Sequence, residues 1–198
     1  SLKFNDADSQ YLTRTPASAG NRKTWTWSAW VKLGHIPADG DVLFAGEVTG
    51  SGNMGSLIRF YDKQIAFLNW ESSGGARYFQ VRTNRLFRDT SAWYHIVVAL
   101  DTTQSTAANR VKIYVNGTQE TSLSATQYGS QNDDLAINNT VNHYLGAGSS
   151  AGTVGSYFDG YIAEVNLIDG TALTADSFGE TKDGIWIPKD TSGLTFGT

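Results

Sequence analysis

An all-β fold, a two-sheet antiparallel jelly-roll sandwich with one short helix near the C-terminus, is what this sequence predicts, and three observations predict it. Apolar and polar side chains alternate with a period of two along most of the chain. The apolar runs recur every ~8–15 residues, a spacing typical of sandwiches rather than of βαβ units. Between them stand turn dipeptides: Gly74-Gly75, Asn116-Gly117, Asp159-Gly160 and Asp169-Gly170. With 198 residues, 40% hydrophobic and 17% charged, the chain can bury one large core.

Taken in order, the first elements are two short strands at 2–4 and 11–14. Residues 24–33 carry the clearest pattern. Trp25, Trp27, Ala29 and Val31 share one face, while Thr24, Thr26 and Ser28 share the other. Trp30 breaks the alternation by standing on the polar side, where it would cover a second layer or line a concave face. Strands follow at 42–47, 56–61, 64–70 and 77–83. The run 93–101 is apolar on both faces from Ile96 to Leu100, which marks a central strand covered on both sides. Its lone histidine, His95, reads as a core residue that donates a ring N–H to a carbonyl. The strand at 110–115 ends in Asn116-Gly117, a type I′ hairpin signal because both residues accept positive φ.

Strands at 143–146 and 157–167 complete the set, with Gly160 expected where a side chain would strike the facing strand or turn. The short helix is predicted over 173–178, with Thr174 as its N-cap and Asp176 in its first turn. Two Gly/Ser-rich loops, 49–56 and 147–156, read as slack connections or as binding loops. The expected organisation is one domain over 1–180, with 181–198 as a C-terminal extension or the start of a following segment. Beginning at Ser1, without an initiator Met or a secretion signal, the chain reads as a piece of something longer.

Charge and composition exclude several classes of function. A net charge of −4 and a pI near 5.3 leave no basic surface for a phosphate backbone, so no nucleic-acid partner is expected. The densest basic stretch, with Arg77, Arg82, Arg85 and Arg88, reads as outward charges on a strand. The absence of cysteine rules out disulfides and thiolate zinc sites. No apolar run approaches the ~20 residues of a membrane span, so membrane insertion is not expected.

Three segments, in order, carry a family resemblance. They are Thr24-Trp25-Thr26-Trp27-Ser28-Ala29-Trp30-Val31-Lys32; Trp93-Tyr94-His95-Ile96 with Tyr114-Val115-Asn116-Gly117; and Tyr144-Leu145-Gly146 with Phe158-Asp159-Gly160-Tyr161-Ile162-Ala163-Glu164-Val165 and Ala172-Leu173-Thr174. Together they resemble the laminin-G/pentraxin branch of the concanavalin A-like lectin/glucanase superfamily. That resemblance implies a recognition domain over about residues 1–180. The tail, including Gly184-Ile185-Trp186-Ile187-Pro188-Lys189, is similar to segments that follow such domains in marine bacteriophage structural proteins. It implies a tail-fibre, receptor-binding or capsid-surface protein, placed on a virion or outside the cell.

Glucanases of this architecture carry Glu-x-Asp-x-Glu on one strand, which gathers the carboxylates on one face. Here Glu occurs only at 47, 71, 120, 164 and 180, each without an acid two residues away. The pairs Asp6/Asp8 and Asp39/Asp41 lie in predicted loops or at strand edges. There is no Gly-x-Ser-x-Gly elbow, and His35, His95 and His143 lack zinc-ligand spacing. The expectation is binding without catalysis.

Sugar recognition needs aromatic faces beside hydrogen-bonding side chains. The richest supply is Tyr61, Asp62, Asn69, Trp70, Arg77 and Tyr78, on consecutive strands and turns, with Tyr157 as a further candidate. Tyr61, Trp70 and Tyr78 would otherwise cover a sheet edge, with Phe60 and Phe67 in the core. Calcium is the expected metal if one binds, with Asp6 and Asp8, or Asp133 and Asp134, as loop ligands; the other reading is solvated turns. The expected function is a carbohydrate-binding or adhesion module reading a glycan such as a bacterial surface polysaccharide. A virion decoration or protein-interaction domain, partnered by other virion proteins, is the alternative. A polysaccharide hydrolase or lyase is disfavoured.

Overall fold

The computed structural model describes residues 1–47, 55–70, 77–150 and 152–197, without the side chains of residues 77 and 78. Most of the first Gly/Ser-rich loop therefore lies outside the described residues. Two antiparallel sheets dominate. The first has six strands in the order β1 (Leu2–Phe4), β15 (Gly160–Asp169), β3 (Thr24–Leu33), β8 (Trp93–Asp101), β9 (Val111–Val115) and β10 (Thr118–Gln119). The second has seven: β11 (Leu123–Tyr128), β7 (Arg77–Thr83), β6 (Gln64–Trp70), β5 (Ser56–Tyr61), β4 (Asp39–Gly46), β12 (His143–Leu145) and β2 (Leu12–Arg14). Two small hairpins, β13 (Gly148–Ser150) with β14 (Thr153–Gly155) and β16 (Gly179–Lys182) with β17 (Ile185–Pro188), complete the described strands.

The alternation in β3 does what its sequence dictates. Trp25, Trp27, Ala29, Val31 and Leu33 enter the core shared by both sheets, where they meet Phe44, Ile58, Phe60, Phe67 and Phe79. Trp25 meets Phe67 edge-on at 5.6 Å and Trp27 stacks on Phe44 at 6.1 Å. Such pairs add about 0.5–1.5 kcal/mol beyond the burial of their area. Strand β8 is covered on both sides. Ile96, Val98 and Leu100 face the main core, while Val97 and Ala99 join Tyr114, Ile168, Ala175 and Phe178 in a second cluster outside the sheet.

Trp30 lies with this second layer, stacked on His95 at 5.0 Å. His95 is fully buried as anticipated, but its partners are side chains and not a carbonyl. Trp186 Nε1–H donates to Nδ1 at 3.0 Å, and Nε2 lies 2.9 Å from Ser28 Oγ. An indole N–H can only donate, so Nδ1 carries no proton and Nε2–H donates to the serine. Burial pushes the His95 pKa down to about 4.

Several local expectations change. The predicted helix is a single 3₁₀ turn, Ala175–Ser177, and Thr174 bonds the Asp176 carboxylate instead of capping a backbone N–H. One turn is too short for the cooperative hydrogen bonding that sustains an α-helix. Strand β11 was not anticipated because its alternation, Leu123 and Ala125 against Ser124 and Thr126, is short and weakly apolar; pairing with β7 defines it. The Asn116-Gly117 hairpin does form, with φ of 48° and 82°, and Asn116 Oδ1 also accepts the His95 backbone N–H at 2.8 Å. Gly160 has φ of 143°, and a Cβ there would lie 2.2 Å from the Lys32 carbonyl oxygen. Gly160→Ala should therefore cost at least about 2 kcal/mol, read as a lower urea midpoint at unchanged m-value.

Candidate functional site

Period-two geometry decides which side chains share the outer face of the seven-stranded sheet. In β5, Ile58 and Phe60 turn inward, so Leu57, Arg59 and Tyr61 turn out. In β6, Ile65 and Phe67 turn inward and Ala66, Leu68 and Trp70 turn out. Val42, Ala45, Leu57, Ala66, Leu68, Tyr144 and Ala147 form a buried apolar patch on this outer face. Tyr61, Trp70 and Tyr157, each partly buried, pack around it. Three of the sequence-predicted ligand residues thus lie on one face, with Tyr61 and Trp70 at opposite ends of the β5–β6 hairpin.

The polar surroundings of Tyr61 are specific. The Arg82 guanidinium carbon stands 4.8 Å from its ring centroid and that of Arg59 stands 5.5 Å away. Arg59 is buried, bonded to the Phe60 carbonyl and ion-paired with Asp39. Arg82 is held by an Nε–H bond to Ser124 Oγ at 2.9 Å, from the unanticipated β11. The adjacent turn, Asp62-Lys63, has φ of 44° and 66°, and Lys63 Nζ lies 2.5 Å from Asp62 Oδ1. The hydrogen bond and charge of Lys63, with Arg82 and Arg88 further off, hold the Asp62 carboxyl below its ordinary value. This corner is locally basic although the chain as a whole is acidic.

At the other end of the patch, Tyr157 O–H donates to the Val154 carbonyl at 3.2 Å. Its ring lies 6.1 Å from that of Tyr11, which in turn meets Tyr144 at 5.9 Å. Glu47 ties this end together. Its carboxylate accepts from Ser149 Oγ at 2.7 Å, Tyr144 O–H at 3.0 Å and Asn142 Nδ2 at 3.1 Å, with the Gly152 N–H as a further donor. Burial pushes its pKa up, but these donors outweigh burial and hold it below the usual carboxylate range. Glu47 thereby pins the hairpin β13–β14 against β4 and β12.

The remaining predicted residues lie elsewhere. Asn69 is buried on the core side of β6, where its Oδ1 accepts Ser56 Oγ–H at 2.7 Å. Arg77 and Tyr78 belong to β7 by backbone, but their side chains lie outside the described residues. Asp6 and Asp8 sit in a turn in which Asn5 Nδ2 donates to Asp8 at 2.7 Å. Asp133 accepts the Ser130 N–H at 2.7 Å, and Asp134 gives its carbonyl to Arg22. Among the described residues no group of three or more His, Cys, Asp or Glu side chains gathers as metal ligands would. None of the described helices is long and apolar enough to cross a membrane.

Sequence reasoning did not single out Arg59, Arg82 or Glu47 as site residues. For the arginines a signal existed. Arg59 is two residues from Tyr61 and Arg82 is four from Tyr78, so period two puts each in line with a predicted ligand residue. Glu47, at the end of an apolar strand, carries no such signal, because its four donors come from sequence about 100 residues away.

Residues 6–177 match the laminin-G-type family described as the concanavalin A-like lectin/glucanases superfamily. No curated protein matches the sequence. Among solved structures, the chain is similar to a heptameric SAP-like pentraxin from Limulus polyphemus, with 13% identity, a TM-score of 0.56 and coverage of 83% of this chain and 71% of that one. It is similar to the Ruminococcus gnavus IT-sialidase CBM40 bound to α2,3-sialyllactose, with 15% identity, a TM-score of 0.54 and coverage of 84% and 95%. It is also similar to domain 4 of the Geobacillus stearothermophilus arabinanase AbnA in complex with arabinotriose, with 18% identity, a TM-score of 0.51 and coverage of 78% and 64%. At these identities the likeness speaks for the fold.

Proposed function

We propose that this chain, which belongs to the concanavalin A-like lectin/glucanase superfamily, is a non-catalytic carbohydrate-binding module whose ligand lies on the outer face of the seven-stranded sheet. The observation that carries this reading is the placement of Tyr61, Trp70 and Tyr157 around one apolar patch, with Arg59 and Arg82 against the Tyr61 ring. Aromatic rings supply faces for the C–H side of a sugar, and guanidinium N–H groups fix hydroxyl or carboxylate oxygens. Two of the structural neighbours are glycan-bound modules, which supports a glycan ligand here. Asp39 and Asp41 both lie on β4, but Asp39 is ion-paired with Arg59 and no described strand carries three alternating carboxylates, which supports binding over turnover.

The test is a glycan array of neutral and acidic oligosaccharides, probed with and without calcium and followed by titration of the best ligand. Tyr61→Ala should weaken that titration by about tenfold or more, as loss of a central aromatic anchor does. Absence of binding to any glycan in both conditions would overturn the reading. The resemblance of the tail to phage structural segments supports a second reading, a module on a virion surface that contacts other virion proteins. Copurification through an interface above ~1,000 Å² would favour it.

A further inference from the structure

The opposite face of the sandwich holds a second built groove. On the outer side of the six-stranded sheet, Trp30 pairs with Ala163 across β3 and β15 and with His95 across β3 and β8. The hairpin β16–β17 lies over this face. A Cβ on Gly117 or Gly179 would strike the Trp186 ring at 2.7 Å and 2.4 Å, so both glycines make room for it. The result is a groove of about 350 Å³ walled by Trp30, Trp93 and Trp186, with Ile187, Pro188 and Ala163 completing its apolar lining and Glu164 as its one charged lining group.

Glu164 is placed there by a bulge. The register of β15 on β3 jumps between Ala163 and Asn166, and Glu164 has φ of 49°, a conformation that L side chains rarely adopt. A bulge re-aims a side chain, and bulges recur beside functional sites. Asn166 Nδ2 holds the Glu164 carbonyl at 2.9 Å, while the carboxylate is exposed and has no partner among the described residues. The walls are fixed in advance: Trp30 stacks on His95, and Trp186 is hydrogen-bonded to it.

The chemistry of the lining selects its ligand. A sugar needs several hydrogen-bonding groups. Here the Trp186 N–H is already donated to His95, and the Trp30 N–H is buried. An anion would meet the Glu164 carboxylate. A methylated or quaternary ammonium needs no hydrogen bond, is attracted to indole faces, and is matched by one carboxylate. Lys32 stands between Tyr161 and Trp93 in register on the same sheet and opposes a cation, but its charge interacts with that of Asp89.

From the three-tryptophan groove and its single unpartnered carboxylate, we propose that this face binds a trimethylammonium group. The test titrates the intact chain with choline, with its neutral carbon isostere dimethylbutanol, and with Nε-trimethyllysine, reading tryptophan fluorescence and indole N–H chemical shifts. Choline or trimethyllysine should bind at least about tenfold more tightly than the neutral isostere. Choline ahead of trimethyllysine indicates a headgroup-like source; the reverse order indicates a modified protein side chain. Glu164→Gln and Trp93→Ala, both at exposed positions, should each weaken binding by roughly tenfold with an unchanged unfolding midpoint. Equal affinity for choline and its isostere, unchanged affinity in Glu164→Gln, or no perturbation of the indole signals by choline would overturn the proposal. None of these readouts involves a glycan, so the outcome stands apart from the function proposed above.

Discussion

Between pH 7 and pH 4 the fold should lose about 3 kcal/mol of stability, most of it through His95. The pKa of this histidine is 6.5 when unperturbed and about 4 in the folded chain, because burial disfavours the imidazolium. Below pH 6.5 the unfolded chain therefore binds a proton that the folded chain refuses, and stability falls until the folded value is reached. At about 1.36 kcal/mol for each tenfold change in proton affinity, the interval gives the stated loss. His143, also depressed chiefly by burial, acts in the same direction. Asp41, raised chiefly by burial, opposes them, since its protonated form is favoured in the folded chain. Urea unfolding across this range checks the claim. His95→Gln should flatten the profile whatever its effect at neutral pH, and a flat profile for the unsubstituted chain would contradict it.

Glu47→Gln should cost about 2–4 kcal/mol although it conserves shape. The carboxylate accepts from four donors. An amide turns an N–H toward at least one of them and leaves a buried donor unsatisfied. The same change should release the hairpin β13–β14, because Ser149 and the Gly152 N–H are its ties to the carboxylate. The measurement pairs an unfolding curve with amide hydrogen exchange. Faster exchange should be confined to residues 148–155 and to Tyr144, and uniformly faster exchange would contradict the local role.

The sandwich was legible in the sequence because its information is local. Trp25, Trp27, Ala29 and Val31 announce the core face of β3 within seven residues, and Asn116-Gly117 announces its hairpin within two. Trp30, out of step with that alternation, signals a second layer or a concave face, but Trp186, which shares its groove and bonds His95, lies more than 150 residues away. The site divides in the same way. Parity alone turns Tyr61 and Trp70 to the same outward face, and both join the patch from opposite ends of the β5–β6 hairpin. Asn69, adjacent to Trp70, must turn to the other face, which the parity of two already implied. The ties of Glu47 to residues 142–152 arise only when β12 pairs with β4, and no local pattern records that event.

A structure of the chain with its tightest glycan from the array tests the central claim most directly. The sugar should lie over the patch bounded by Tyr61, Trp70 and Tyr157, with the Arg82 guanidinium on its oxygens. A glycan bound at a sheet edge or on the six-stranded face, with these three rings uncontacted, would contradict it.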